Sequence, residues 1–218
     1  MNFLLYRLSA SNWSICNNGR SATGPLSPWR APGGGVLATG ILKVSMSIEI
    51  RIAVAEDAFA ACDLLRRSIV ECCVEDHRND PAILAAWLGN KTPEMVASWF
   101  AATRNFSIVA IEDDVLVGVA LLTRAGKLSL FYLLPEALRQ GVGTAMLARL
   151  EAQAQDWGIK SLQLHSTTTA AQFYARCGFI ASGKVKSPYG VETIFFWKPL
   201  DPSVDIRRAR FCNCNTGP

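Results

Sequence analysis

From residue 48 to about residue 200 the apolar positions recur at two spacings, every second residue or every third to fourth, and each change of spacing marks a change of element. Ile48, Ile50 and Ile52 alternate with polar neighbours, as in a strand. Glu56 and Asp57 then open a helix expected to reach about Cys72, with acids at its positive end and Phe59, Cys62, Leu65 and Ile69 on one stripe. Asp80-Pro81 and Thr92-Pro93 each set a capping side chain before a proline at the first helical position. Two short helices are expected there, carrying Leu84, Trp87 and Leu88, then Val96, Trp99 and Phe100.

Strands over 106–111 and 115–122 read as a hairpin closed by Asp113-Asp114. The next, 128–134, is apolar at nearly every position and is expected to be covered on both faces. Residues 141–157 carry Gly143, Leu147, Leu150, Ala154 and Trp157 at helical spacing. A strand over 161–166, a short helix over 170–177 and strands over 180–186 and 192–197 complete the pattern. The fold class is α/β (α+β).

The ends differ from this body. Residues 1–46 hold six Gly, three Pro and six Ser, including the run Pro32-Gly33-Gly34-Gly35, and are expected to form a disordered extension. Arg7 interrupts Phe3-Leu4-Leu5-Tyr6, which argues against a secretory signal, and no acid precedes Glu49, which leaves a transit peptide open. An over-extended start before Met46 is the favoured explanation. Residues 201–218 read as a flexible tail, so the domain spans 47–200.

The net charge of +4 loses its apparent meaning once it is divided along the chain. Residues 1–46 hold four basic groups and no acid, whereas 47–200 hold 15 basic and 16 acidic groups. The near-neutral body gives no concentrated footprint for nucleic acid. No apolar run reaches the roughly 18 residues that span a bilayer. Seven scattered cysteines without a C-x-x-C pair suit a reduced cytoplasm. Cys212 and Cys214 lack further ligands for a metal, and none is expected.

The segment Leu133-Leu134-Pro135-Glu136-Ala137-Leu138-Arg139-Gln140-Gly141-Val142-Gly143-Thr144 joins a buried strand to an amphipathic helix through two glycines. Backbone free of Cβ, followed by the unsatisfied amides of a first helical turn, favours a phosphate or diphosphate. A Walker loop would require Gly-Lys-Ser/Thr where Gly143-Thr144-Ala145 stands, and a dinucleotide fold would require a third glycine at Met146. Glycines serving only tight packing remain an open alternative.

This segment resembles the signature of the GNAT acetyltransferases, a strand ending Val-x-Pro followed by Arg/Gln-x-x-Gly-x-Gly/Ala. The family's second signature, Asn-x-x-Ala-x-x-Phe-Tyr-x-x-x-Gly-Phe, is similar to the stretch from Thr167 through Ala170, Phe173 and Tyr174 to Gly178-Phe179. Leu138 and Thr167 depart from the pattern. The resemblance covers about residues 48–200 and implies a central, mostly antiparallel sheet of six or seven strands, splayed between the fourth and fifth.

It further implies transfer of acetyl from acetyl-CoA to a primary amine of a small molecule or peptide by direct attack. A catalytically silent CoA-binding or regulatory module is the alternative. The implied cofactor residues are Leu133, Leu134, Arg139, Gln140, Gly141, Val142, Gly143, Thr144, Thr167 and Thr168, with Tyr174 as the acid. Such relatives are often homodimers. No base stands out: Glu71, Glu75, Asp76, His77 and His165 are each expected to be solvated or capping residues before bases. The acidic run at 75 and 76 would attract a cationic amine. Trp87, Trp99 and Trp197 are expected mainly in the core.

Overall fold

The computed structural model describes residues 48–201, and the extensions expected over 1–46 and along most of 201–218 lie outside the described residues. A four-stranded antiparallel sheet in the order β1-β2-β3-β4 is built from Glu49–Ile52, Asn105–Glu112, Val115–Thr123 and Leu128–Leu133. A three-stranded antiparallel sheet in the order β5-β7-β6 is built from Ser161–Thr167, Ile180–Lys186 and Glu192–Pro199. Between β4 and β5 one parallel bridge, Lys127 with Gln163, is recorded, and the Gln163 amide donates to the Gly126 carbonyl at 2.8 Å. Beyond that bridge the ladder stops, which is the splay the family resemblance implied.

Strand alternation explains why the central strands are apolar throughout. Ile108 and Ala110 of β2, Ala120 and Leu122 of β3, and Phe131 and Leu133 of β4 share one core with Met146, Leu147 and Leu150 of α5 (Val142–Asp156). Val109, Val119, Leu121, Leu130 and Tyr132 face the other way, onto Leu64, Leu65 and Ile69 of α1 (Ala58–Cys72). The same core takes in Trp87 of α3 (Pro81–Leu88) and Val96 of α4 (Pro93–Ala101). Each central strand is therefore covered on both faces.

The helix starts follow their caps. Asp80 Oδ1 accepts from the Ala82 and Ile83 amides at 2.8 and 3.2 Å, and Thr92 Oγ1 accepts from the Met95 amide at 3.3 Å. Two expectations are corrected. Ala55–Asp57 form a 3-10 turn ahead of α1, closed by the Asp57 amide on the Val54 carbonyl at 3.1 Å and the Val54 amide on the Asp57 carboxylate at 2.8 Å, with Arg51 holding that carboxylate by two 2.7 Å bonds. Phe59 lies off the buried stripe at 68% exposure, since the core face of α1 runs through Ala61, Leu64, Leu65, Ser68 and Cys72. Ile52, at the end of edge strand β1, is also exposed.

Candidate functional site

At the end of β4 the Leu134 amide donates to the Val117 carbonyl of β3 at 2.9 Å. In an antiparallel ladder the neighbouring residue then turns its amide and carbonyl to the opposite side, so Leu133 presents both toward the gap beside β5. The Leu133 carbonyl receives the hydroxyl of Ser68 at 2.8 Å. Ser68 is fully buried within the apolar stripe of α1, and a lone hydroxyl at such a position was the available, and missed, sequence signal.

The chain next makes a 3-10 turn at Pro135–Ala137. Arg67 of α1 fastens this turn by donating to Glu136 at 2.5 Å. Gly141 then enters α5 with φ of +89°, a conformation that L side chains rarely adopt, and no side chain caps the helix. The first amides of α5 thus sit at the positive end of a 15-residue helix without a side-chain partner. The two glycines serve different ends. A Cβ on Gly141 would meet nothing within 4 Å, whereas one on Gly143 would meet Leu133 Cδ1 at 3.2 Å and the Phe173 ring at 3.4 Å. Gly141 keeps the helix mouth open, and Gly143 permits close packing.

A cavity of about 450 Å3 lies at this mouth, lined by Leu133, Arg139, Gly141, Gly143 and Thr144. Its far wall comprises Leu147, Ala148 and Glu151 of α5, then Phe173, Arg176, Cys177 and Lys198. Arg139, Arg176 and Lys198 face one carboxylate, Glu151, which pairs with Lys198 at 2.7 Å. A helix N-terminus beside a surplus of cations suits a phosphorylated ligand. Nothing in the sequence pattern singled out Glu151 or Lys198, which come from distant elements.

Other expected residues do not line this cavity with their side chains. Leu134 packs against the core, Val142 is buried, and Gln140 donates to the Glu136 carbonyl at 2.6 Å. Thr167 is buried, and its hydroxyl accepts from the Ala170 amide at 3.3 Å at the start of α6 (Ala171–Arg176). Tyr174 of α6 is buried with its ring against Phe131, Phe173, Phe179 and Phe196. Burial pushes its phenol well above the usual range, so the hydroxyl keeps its proton.

A second cavity, of about 210 Å3, is lined by Glu75, Asp76, Arg78, Ile83, Thr168, Gly190, Val191 and Glu192. Glu75 and Asp76 belong to α2 (Val74–His77). Asp76 accepts from the Thr168 amide at 2.9 Å and from the Thr169 hydroxyl at 2.5 Å. Burial raises its carboxyl despite these bonds. His77 is fully buried rather than solvated, and its Nδ1 accepts from the Asn79 amide at 3.0 Å, a local turn contact. His165 sits edge-on to Phe195, and burial, aided by Lys127, lowers its pKa. Trp87 and Trp197 are buried, as expected for core residues. Among the described residues no cluster of His, Cys, Asp or Glu is arranged to hold a metal, and no helix is long and apolar enough to cross a membrane.

Comparison with known proteins agrees with this fold. The described chain resembles a GCN5-related N-acetyltransferase from Rhodopseudomonas palustris at 23% identity, with a TM-score of 0.63 over 71% of this chain and 97% of that one. It resembles the PaiA N-acetyltransferase of Thermoplasma acidophilum, solved with coenzyme A, at 20% identity and a TM-score of 0.60 over 71% and 99% of the two chains. It also resembles YncA from Salmonella typhimurium, solved with acetyl-CoA, at 18% identity and a TM-score of 0.56 over 72% and 96%. No curated protein sequence matches. The family model described as an acetyltransferase (GNAT) domain matches residues 74–195, more than half of the sequence, and the chain belongs to the GNAT acetyltransferase family.

Proposed function

We propose that this protein transfers an acetyl group from acetyl-CoA to a primary amine by direct attack. The observation that carries the reading is the uncapped start of α5, opened by Gly141 over a cation-rich cavity beside the outward-facing amide of Leu133. Amides at the start of α5 and the side chain of Arg139 hold the diphosphate of the coenzyme. Bound there, acetyl-CoA supplies an activated thioester whose thiol an unprotonated amine displaces.

The Leu133 amide donates to the thioester carbonyl oxygen as negative charge builds on it. Ser68, fixing the carbonyl of the same residue, keeps that strand end in place. Tyr174, at the acid position of the second signature, gives its proton to the departing thiolate and recovers one through solvent from the acylated nitrogen. The second cavity receives the amine, and its three carboxylates against Arg78 favour a cationic acceptor.

A catalytically silent CoA-binding module is the second reading, favoured by the enclosure of Tyr174 among four aromatic rings. A thiol-release assay with acetyl-CoA against a panel of amines, amino acids and peptides separates the two. Release that depends on an amine supports transfer. Saturable acetyl-CoA binding without release across the panel supports the silent module, and no binding removes both.

A further inference from the structure

One charged side chain outside both cavities is enclosed among rings. Lys91, in the turn between α3 and α4, is 1% exposed, and no carboxylate among the described residues pairs with it. Its ammonium donates to the Trp87 carbonyl at 3.0 Å, in the last turn of α3, and to Asn90 Oδ1. It lies 5.6 Å from the ring centre of Tyr189 and 5.9 Å from that of Trp99. Tyr189 in turn stacks on Trp87, with centroids 6.0 Å apart and planes 6° apart. The Lys91 carbonyl accepts from the Cys62 thiol at 3.1 Å and from Arg66 of α1 at 3.3 Å. One residue therefore ties α1 and α3 to an aromatic ring on the turn between β6 and β7.

Burying an ammonium without a carboxylate partner is costly, and an apolar chain of the same length would fill the space without that cost. What the charge gains is attraction to two aromatic faces and a helix C-terminus. Tyr189 belongs to a turn closed by Ser187 and Val191: the Ser187 amide donates to the Val191 carbonyl at 2.8 Å, and the Val191 amide to the Ser187 hydroxyl at 3.1 Å. The residues that follow Tyr189, from Gly190 to Glu192, line the second cavity, and so does Ile83 of α3.

We propose that Lys91, with Trp87, Trp99 and Tyr189, forms a cation–aromatic latch that fixes the β6–β7 turn and so positions the acceptor wall. Lys91 is a positioning residue in this scheme, and its link to turnover rests on the reading of the second cavity as the amine site.

The test is amide hydrogen exchange on the full chain for wild type, Lys91→Met, Tyr189→Leu and the double variant, beside calorimetric titration with acetyl-CoA. Exchange over 187–191 is expected to rise about tenfold in Lys91→Met and by more in Tyr189→Leu, which also loses the Trp87 stack, with the double variant no higher than Tyr189→Leu because the ammonium then has no Tyr189 ring left to hold. Exchange over 142–147 and the acetyl-CoA affinity are expected to stay at wild-type values. Unchanged exchange in the turn, or effects that simply add, overturns the latch. Tyr189→Leu, at a half-buried turn position, carries the test by itself if Lys91→Met fails to fold. With the latch upheld, both variants should reorder relative turnover across the amine panel. A loosened turn with an unchanged order removes its role at the amine wall and leaves acetyl transfer standing. Absence of thiol release in the wild type removes the transfer reading, and exchange still decides the latch.

Discussion

The cavity at the mouth of α5 takes five lining residues from one continuous stretch, Leu133 to Thr144, whereas the second is assembled from α2, α3, the end of β5 and the β6–β7 turn. On the proposed reading the first would work largely through backbone amides and the conformations that expose them, and the second through side chains brought together from remote segments. Backbone recognition demands particular residues at particular spacings, so it leaves a trace in sequence. Side-chain recognition accepts many solutions, and its residues look ordinary until the chain has folded.

The most severe challenge to this contrast is Gly141→Glu. The substitution forces a left-handed backbone onto a residue with a Cβ, at about 1–2 kcal/mol, and sets a carboxylate where phosphate would lie. Acetyl-CoA affinity measured by calorimetry should fall about 1000-fold, near 4 kcal/mol. An unchanged affinity would place the coenzyme elsewhere and dissolve the distinction between the cavities.

On the side-chain-built side, Lys91 provides the next effect. Burial lowers its pKa from 10.5 to about 8. Below pH 8 both folded and unfolded states hold the proton, and the folded state bears the full cost of the buried charge. Between pH 8 and 10.5 the unfolded state binds more protons, so stability rises with pH, by up to about 3 kcal/mol. Denaturant unfolding of wild type and Lys91→Met across that range isolates the term, since the other titrating groups are common to both. A flat difference would mean that the ammonium is not buried as described.

Tyr174→Phe should lower turnover about 100-fold while acetyl-CoA affinity stays within twofold. Equal turnover would remove Tyr174 from proton donation and leave it a core ring. Ser68→Ala leaves the Leu133 carbonyl without its donor. It should cost about 1–2 kcal/mol in thermal unfolding and about tenfold in turnover, with Ser68→Thr partly restoring both. The smallest effect belongs to Glu192→Gln at the rim of the second cavity, where the side chain also meets Lys184 at 2.6 Å. Competition between a diamine and a neutral-tailed monoamine should shift about threefold toward the monoamine.

Particular residues show where sequence reasoning reached and where it stopped. Asp80 and Thr92 announce α3 and α4 because a cap acts within four residues. The two-faced burial of β4 follows from an apolar run broken only at Ser129. Gly141 and Gly143 both stand out in the sequence, yet only the folded chain separates the open position from the packed one. Phe59 misled because one apolar residue at helical spacing does not fix the direction of the stripe. Lys91 was invisible, since its surroundings come from α1, α3, α4 and a turn about a hundred residues further along the chain. Thr167 is buried and its hydroxyl accepts from the Ala170 amide at the start of α6, a local role that the second signature does not announce.

The single parallel rung from Lys127 to Gln163 has a mechanical consequence. Two strand edges leave it like the arms of a half-closed zipper, and a strand edge with unmet amides tends to zip shut. The Ser68 hydroxyl on the Leu133 carbonyl already meets one tooth near the far end. An extended ligand inserting there would complete the missing rungs, and the protein should then stiffen along the whole seam.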